Sequence, residues 1–391
     1  MNQINQKMTL SACISLVTGN LVGSGVFMLP AALAAYGSLS IIGWCITAIG
    51  ATLLALCFAK LSEEVRDSHG GPHTFIQHAF GNEFGFWAAW GYWVLTWSSN
   101  TALLVTATSY LTTLTGPLSL SITLALQLAI WGAVTTINLC GVKNAARFEF
   151  VLTALKTLPI ILIPIVALAV IDINNFYTWQ PLASNVSVID GLQATIFATM
   201  WAFIGVESAT VPAKEVANPE TTIGKATILG TLLAAFIYIT GSVATIGVLG
   251  VNTLAASSAP YADLATRVFG GSWASIIAAC AVVSCVGAFN GWTLVVARIA
   301  QSAAEQGLFP EIFAKTNQQQ TPVYSILIAS FCTLAAIVFT MQEDMLNQFN
   351  AIVDIAVTLI LLIYLGCVLA YFRLVRPKSA AAWCIGIGAG A

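Results

Sequence analysis

The chain has 391 residues, of which 58% are hydrophobic and only 8% are Asp, Glu, Lys or Arg. Water-soluble domains carry about 25% charged residues, so 14 basic and 16 acidic side chains cannot cover a globule of this size. Cytosolic enzymes, nucleic-acid binders and disordered chains are excluded. A mean hydropathy of +0.87 selects the bilayer as solvent instead.

A membrane helix needs about 20 predominantly apolar residues, and ten such segments follow one another. The first, 9–35, carries Gly19-Asn20-Leu21-Val22-Gly23-Ser24-Gly25 near its centre. It lacks the short apolar core and cleavage context of a signal peptide. The second, 39–60, ends in a polar loop that gathers all three histidines, His69, His73 and His78. Spans 84–113, 119–141 and 149–171 complete the first group, and the last of these contains Lys156. A more polar stretch, 172–189, leads to the sixth span, 190–212, with Trp201-Ala202-Phe203-Ile204-Gly205-Val206-Glu207-Ser208. Spans 222–250, 273–302, 321–341 and 347–372 follow, the tenth carrying Asp354. Residues 379–391 are apolar but too short to cross, and read as the start of an eleventh helix. The expected fold is therefore an all-α polytopic membrane protein.

Orientation follows from Lys and Arg, which favour cytoplasmic loops. Lys7 precedes the first span, Lys60 and Arg66 follow the second, and Lys143 and Arg147 follow the fourth. Lys214 and Lys225 flank the loop after the sixth span, and Arg298 and Lys315 mark the end of the eighth. Arg373, Arg376 and Lys378 follow the tenth. Only Arg267 falls on the other side, and Lys156 is intramembrane. The N-terminus is expected in the cytoplasm, and ten spans return the chain there. The nine cysteines lie in or beside apolar runs without a C-x-x-C pair, and read as small buried side chains. With the histidines confined to one loop, no metal centre and no cofactor is expected.

Residues 1–171 form one group of five spans and 190–372 a second, joined by 172–189 on the extracellular or periplasmic side. Residues 373–391 add a basic loop and the incomplete helix. Five is odd, so the second group is inserted with opposite orientation, an inverted repeat common among transporters that bind substrate at the midplane on interrupted helices. The first span of each group carries glycine and polar residues near its middle. Glycine lowers the cost of leaving helical geometry, and unwound backbone is tolerated in a membrane only where it lines a polar cavity. A half-helix N-terminus then favours an anion such as a carboxylate. One glycine cluster alone would read as a packing face. Matched clusters in both groups, one beside Glu207, point to a binding site.

These two motifs, together with Gly291-Trp292-Thr293 in the eighth span, resemble the amino acid–polyamine–organocation superfamily. The likeness is strongest to its basic amino acid/polyamine antiporters, typified by the arginine/agmatine antiporter, and runs from about residue 8 to 375. It implies a LeuT-type fold, with interrupted spans 1 and 6 and with helices 11 and 12 truncated here. It also implies a homodimer, an expectation that the incomplete last helices weaken. Carried over, Gly23, Ser24 and Gly25 with neighbouring amides hold the substrate carboxylate, and Ile204 with its neighbour Phe203 offers carbonyls to the α-amino group. Trp201 closes over the substrate and Trp292 stacks on its side chain. Asn20, Tyr92, Thr96, Asn100 and Leu103 match further pocket or gate positions, and Glu207 a proton-sensing acid. Three departures stand out. Asp354 appears in place of a serine, Lys156 has no counterpart, and Gly70-Gly71-Pro72-His73 replaces a Gly-Gly-Ser-Tyr gate sequence.

Ionisable groups deep in a span cost roughly 2.5–3.5 kcal/mol on insertion scales and mark function by default. Lys156 reads either as a snorkelling lysine or as an ammonium standing in for a sodium ion, fixed or proton-carrying. Glu207 reads either as a proton-exchanging acid or as a structural acceptor for unwound backbone. Asp354 reads either as a pocket carboxylate for a cationic substrate or as a structural acid. His73 reads as part of a solvated loop or as a pH-sensitive gate, since a free imidazole titrates near pH 6.5.

The expected function is secondary active amino acid transport by alternating access, exchanging a cationic amino acid for its decarboxylated amine in the arginine/agmatine manner. A proton-coupled amino acid permease is the alternative within transport, and a non-transporting membrane sensor the alternative outside it. The partners are then amino acids, amines, protons and the lipid bilayer, without nucleic acid. The location is a bacterial inner membrane. No H-E-x-x-H or G-x-S-x-G motif occurs and the buried acids lie on different spans, so no enzyme is expected.

Overall fold

The computed structural model describes residues 8–65, 71–140, 159–176, 186–211, 216–317, 321–341 and 344–390. Among them all regular elements are helical, and one isolated parallel bridge joins Met8 to Val216. The first span is split into α1 (Leu10–Leu21) and α2 (Ser24–Ala34). The second is α3 (Leu39–Glu64), followed by the short α4 (Pro72–Phe80). Then come α5 (Asn82–Thr115) and α6 (Leu120–Leu139). The fifth span is represented by α7 (Pro159–Val170); Lys156 and His69 lie outside the described residues.

The second group begins with α8 (Val188–Met200), which continues as single 3-10 turns at Trp201–Phe203 and Ser208–Thr210. It goes on through α9 (Pro219–Leu249), the short α10 (Val251–Ala255) and α11 (Pro260–Phe269), and the long α12 (Ser272–Glu305). Last come α13 (Val323–Thr340), α14 (Met345–Leu374) and α15 (Ala380–Gly390). Among the described residues eight helical stretches are long and apolar enough to cross a bilayer, counting Leu10–Ala34 and Val188–Thr210 as one each. α5 has the length, at 34 residues, but is richer in Ser, Thr and Gly.

Glycines at the ends of elements explain the chain's turns. α5, α9 and α11 each stop at a glycine of positive φ (Gly116, Gly250 and Gly270), the left-handed closure that glycine adopts without steric cost. Thr9, Ser119, Ser187 and Asp344 cap the starts of α1, α6, α8 and α14 with a side-chain oxygen, satisfying amides that have no helical partner.

The packing is dominated by α3 against α9 and by α5 against α12, with α1 on α9 and α14 on α5. The core they enclose is apolar, and the outer faces are apolar too. Ile189, Phe331, Phe339 and Leu362 are all exposed, as a lipid-facing surface requires. α4 lies along α14, where Ile76 sits over Gly366 and the Arg373 guanidinium stands 5.3 Å above the Phe80 ring. None of the nine cysteines is in a disulfide. Cys45, Cys140 and Cys384 are exposed, which corrects the expectation that all nine are buried. They occupy outward faces of apolar helices, where a thiol is tolerated as a small hydrophobe.

Candidate substrate-binding site

Two helix breaks face one another across the core. At the first, α1 ends at Leu21 and the Val22 N–H closes the last turn on the Thr18 carbonyl at 2.8 Å. α2 restarts at Ser24 with Gly23 as its N-cap and no side-chain cap. The opening amides of α2 therefore have no helical acceptor, and the positive end of the helix is buried inside the protein. Ser24 is 2% exposed. The Leu21 carbonyl freed by the break accepts the Tyr238 hydroxyl at 2.7 Å. Tyr238 is held by stacking on Trp44, with ring centroids 4.7 Å apart. A side chain at Gly25 would crowd the Tyr238 hydroxyl and the Trp201 ring, so glycine permits this close approach.

At the second break, bonds three residues apart replace the α-helical ladder. Val206 N–H donates to the Phe203 carbonyl, Ser208 N–H to Gly205, and Thr210 N–H to Glu207. Gly205 has φ +112, and a Cβ there would sit 3.1 Å from Trp292. Glu207 reaches back to accept the Gly205 N–H at 3.2 Å. The same carboxylate accepts the Tyr364 hydroxyl at 2.6 Å and, on its other oxygen, the Tyr92 hydroxyl. It is fully buried, and these three donors supply what burial of a carboxylate demands. The break in span 6 is thus stapled to α5 and α14 through one acid.

Between the breaks lies a concave cavity, partly open to solvent, of the kind in which small molecules bind. The first span contributes Asn20, Leu21, Gly23, Ser24 and Gly25, and the sixth contributes Trp201 and Ile204. α12 contributes Trp292, and α5 a stripe of Leu95, Thr96, Ser99, Asn100 and Leu103. That spacing of three, four and seven residues is one helix face. No ionisable side chain is among these lining residues. The cavity presents a helix N-terminus, neutral oxygens, amides and two indoles, whose faces can attract cations.

Ten residues expected at the pocket or its gate are brought together: Asn20, Gly23, Ser24, Gly25, Thr96, Asn100, Leu103, Trp201, Ile204 and Trp292. Tyr92 stands beside them, tied to Glu207 rather than lining the cavity. Phe203 is turned away, packing with Trp44 and Tyr238. Asp354 is the clear correction. It lies on the exposed face of α14 with Ile355, opposite the buried Ile352, Val353, Ala356 and Val357. Two residues of helix turn it by about 200° from Ile352, so it cannot serve as the pocket carboxylate.

His73 is also unlike its expectation. It is fully buried in α4, and neither ring nitrogen has a hydrogen-bond partner among the described residues. Burial pushes its imidazole down to about 4, because the charged form is denied solvent. It stays neutral through the range in which a free imidazole would titrate. Four contributors were missed from sequence: Leu21, Leu95, Ser99 and the Glu207 partner Tyr364. The helical period running from Thr96 and Asn100 would have found Ser99. Nothing local marks Tyr364, 157 residues from the acid it binds.

A many-span helical protein with a cavity between two broken helices has the architecture of a multi-pass membrane carrier. Comparison with known proteins agrees. A family model described as "Amino acid permease" matches residues 8–384. The chain is 32% identical over 370 residues to the putrescine transporter PotE of Haemophilus influenzae, covering 93% of this chain and 83% of that protein. It is 32% identical over 361 residues to the putrescine transporter PotE of Escherichia coli K12, covering 90% and 80%. It is also 32% identical over 400 residues to a protein of E. coli K12 provisionally named an arginine/ornithine antiporter, covering 99% and 85%. The chain belongs to the amino acid permease family of the amino acid–polyamine–organocation superfamily, and fits its basic amino acid/polyamine antiporters. It is a non-enzymatic transporter of small molecules.

Proposed function

We propose that this carrier exchanges a cationic amino acid for an amine by alternating access. The observation that supports this best is the pairing of a buried helix N-terminus at Ser24–Gly25 with an uncharged polar stripe on α5. The N-terminus suits an α-carboxylate. The stripe and the two indoles suit a distal cation without trapping it, because a neutral oxygen binds a cation more weakly than a buried carboxylate does. Arginine with agmatine is the pair that the sequence resemblance implies. The relatives' names add putrescine and ornithine to the compounds to be tried.

In this reading residues 1–171 and 190–372 are inverted repeats joined by 172–189, followed by the basic loop and partial helix of 373–391. Support comes from the packing of spans five apart, α3 on α9 and α5 on α12. The N-terminus is cytoplasmic, in the inner membrane of a bacterium. Glu207 couples the state of the second break to α5 and α14, and Lys156 supplies a fixed or proton-carrying cation in span 5. Ser24 and Gly25 hold the carboxylate, Ile204 faces the α-amino group, and Trp201 and Trp292 enclose the side chain. A proton-coupled permease is the second reading, favoured by one observation: a buried carboxylate held by two tyrosine hydroxyls beside the cavity.

The test is uptake of labelled arginine, ornithine, lysine and leucine into proteoliposomes. Each is measured with agmatine, putrescine or buffer inside, and with or without a pH gradient. Exchange predicts uptake only against internal amine. Uptake driven by the proton gradient alone would transfer the assignment to the permease, and binding without flux would sink transport altogether.

A further inference from the structure

α5 carries a run of hydroxyl side chains, and most of them donate to carbonyls of their own helix, while Ser109 donates to the Ser258 carbonyl. Thr96 donates to the Tyr92 carbonyl at 2.5 Å, Ser98 to Leu95 at 3.0 Å and Thr106 to Ala102 at 2.8 Å. Thr112 and Thr115 do the same with Ser109 and Leu111. This is the usual resting state of such residues in a helix within a membrane. Ser99 and Thr101 depart from it, having buried hydroxyl oxygens without a hydrogen-bond partner among the described residues. Of these two, only Ser99 lines the cavity.

Its position along α5 matters. Leu103 lies against Gly23, the N-cap of α2. Ser99 is one turn back towards the start of α5, about 6 Å along the axis. Tyr92, joined to Glu207, is about two turns further back. The orphan hydroxyl thus sits between the carboxylate-seeking helix N-terminus and the Glu207 staple, at the depth a side chain would reach. Beside it, Asn100 Oδ1 is likewise a buried acceptor without a partner. Among the described residues no carboxylate lines the cavity to do this work instead.

We infer that Ser99 is a specificity-determining residue whose hydroxyl oxygen accepts a hydrogen bond from the distal amino or guanidino group of the substrate. The inference rests on the proposed exchange function and deepens it. It assigns the choice between cationic and neutral side chains to a hydroxyl rather than to an acid. An unfilled acceptor penalises a ligand that cannot donate, since a buried polar atom left unpaired loses its hydration without return.

The experiment is equilibrium binding of labelled ornithine to the purified full chain, with competition by ornithine and by norvaline, which has the same carbon skeleton but no terminal amine. It is run on wild type, Ser99→Ala and Ser99→Thr. Ser99→Ala should weaken ornithine roughly five- to tenfold, the worth of one hydrogen bond, and should not weaken norvaline, which is relieved of the unpaired acceptor. Ser99→Thr, which keeps the hydroxyl, should preserve the ratio of the two. Equal loss for both ligands, or no loss, would overturn the assignment while leaving amino acid binding in place. Wild type binding neither ligand would overturn the exchange function and this inference together.

Discussion

The two helix breaks solve one problem in opposite ways. At Gly23 the chain leaves donors open: Ser24 and Gly25 at the start of α2 line the cavity without a side-chain cap, while the Leu21 carbonyl accepts both the Gly23 N–H and the Tyr238 hydroxyl. At Gly205 the chain closes on itself: tightened turns, a back-bonding Ser208 hydroxyl and the Glu207 carboxylate satisfy the unwound stretch from within. In the proposed function the open break is completed by the substrate. The stapled break is built to hold a shape, and through Tyr92 and Tyr364 it links that shape to two other helices. Breaking the second should therefore cost more than disturbing the first.

The largest effect is expected at Gly205. Its φ of +112 and the proximity of Trp292 leave no relaxed place for a methyl group, and a non-glycine residue forced into such backbone costs about 1–3 kcal/mol. Gly205→Ala should abolish measurable uptake in the proteoliposome assay. Gly25→Ala faces crowding alone, against flexible ends of Tyr238, Leu29 and Trp201, and should weaken uptake only several-fold. Equal losses at the two glycines would show that the breaks are not functionally distinct.

Next comes the staple. Glu207→Ala leaves two tyrosine hydroxyls and the Gly205 N–H without their acceptor. Each buried donor left unpaired costs about 1–3 kcal/mol, so thermal unfolding of the purified protein should fall sharply. Glu207→Gln keeps an acceptor oxygen and offers an amide to a tyrosine oxygen, and should recover most of that loss. If exchange then loses its pH dependence while folding is retained, the carboxylate carries the proton. If Glu207→Ala unfolds with wild type, the carboxylate staples nothing.

This contrast was only half legible in the sequence. Both breaks could be located, because glycine beside polar residues in the middle of a long apolar run has few other physical readings. The cavity-facing stripe of α5 was legible from Thr96, Asn100 and Leu103, and strict use of the helical period would have added Ser99. The same period decides between the two readings of Asp354: Ile352, Val353, Ala356 and Val357 define a buried face that excludes it. What could not be read is how each break is held. Tyr364 and Tyr238 meet their partners across 157 and 217 residues, and no local pattern distinguishes either from the other tyrosines of the chain.

Tyr238 supplies the smallest and most discriminating prediction. Its hydroxyl donates to the Leu21 carbonyl, while its ring is independently fixed on Trp44 and Phe203. Tyr238→Phe removes the hydrogen bond and leaves the aromatic packing, so the loss should be about 1 kcal/mol of stability, that of one buried hydrogen bond. The hydroxyl does not line the cavity, so substrate affinity should change less than twofold. A larger fall in affinity would mean that the Leu21 carbonyl, once released, turns into the site and competes for the substrate's ammonium group. The first break would then depend on a residue outside the cavity as strongly as the second depends on Glu207, and the distinction between an open and a stapled break would fail.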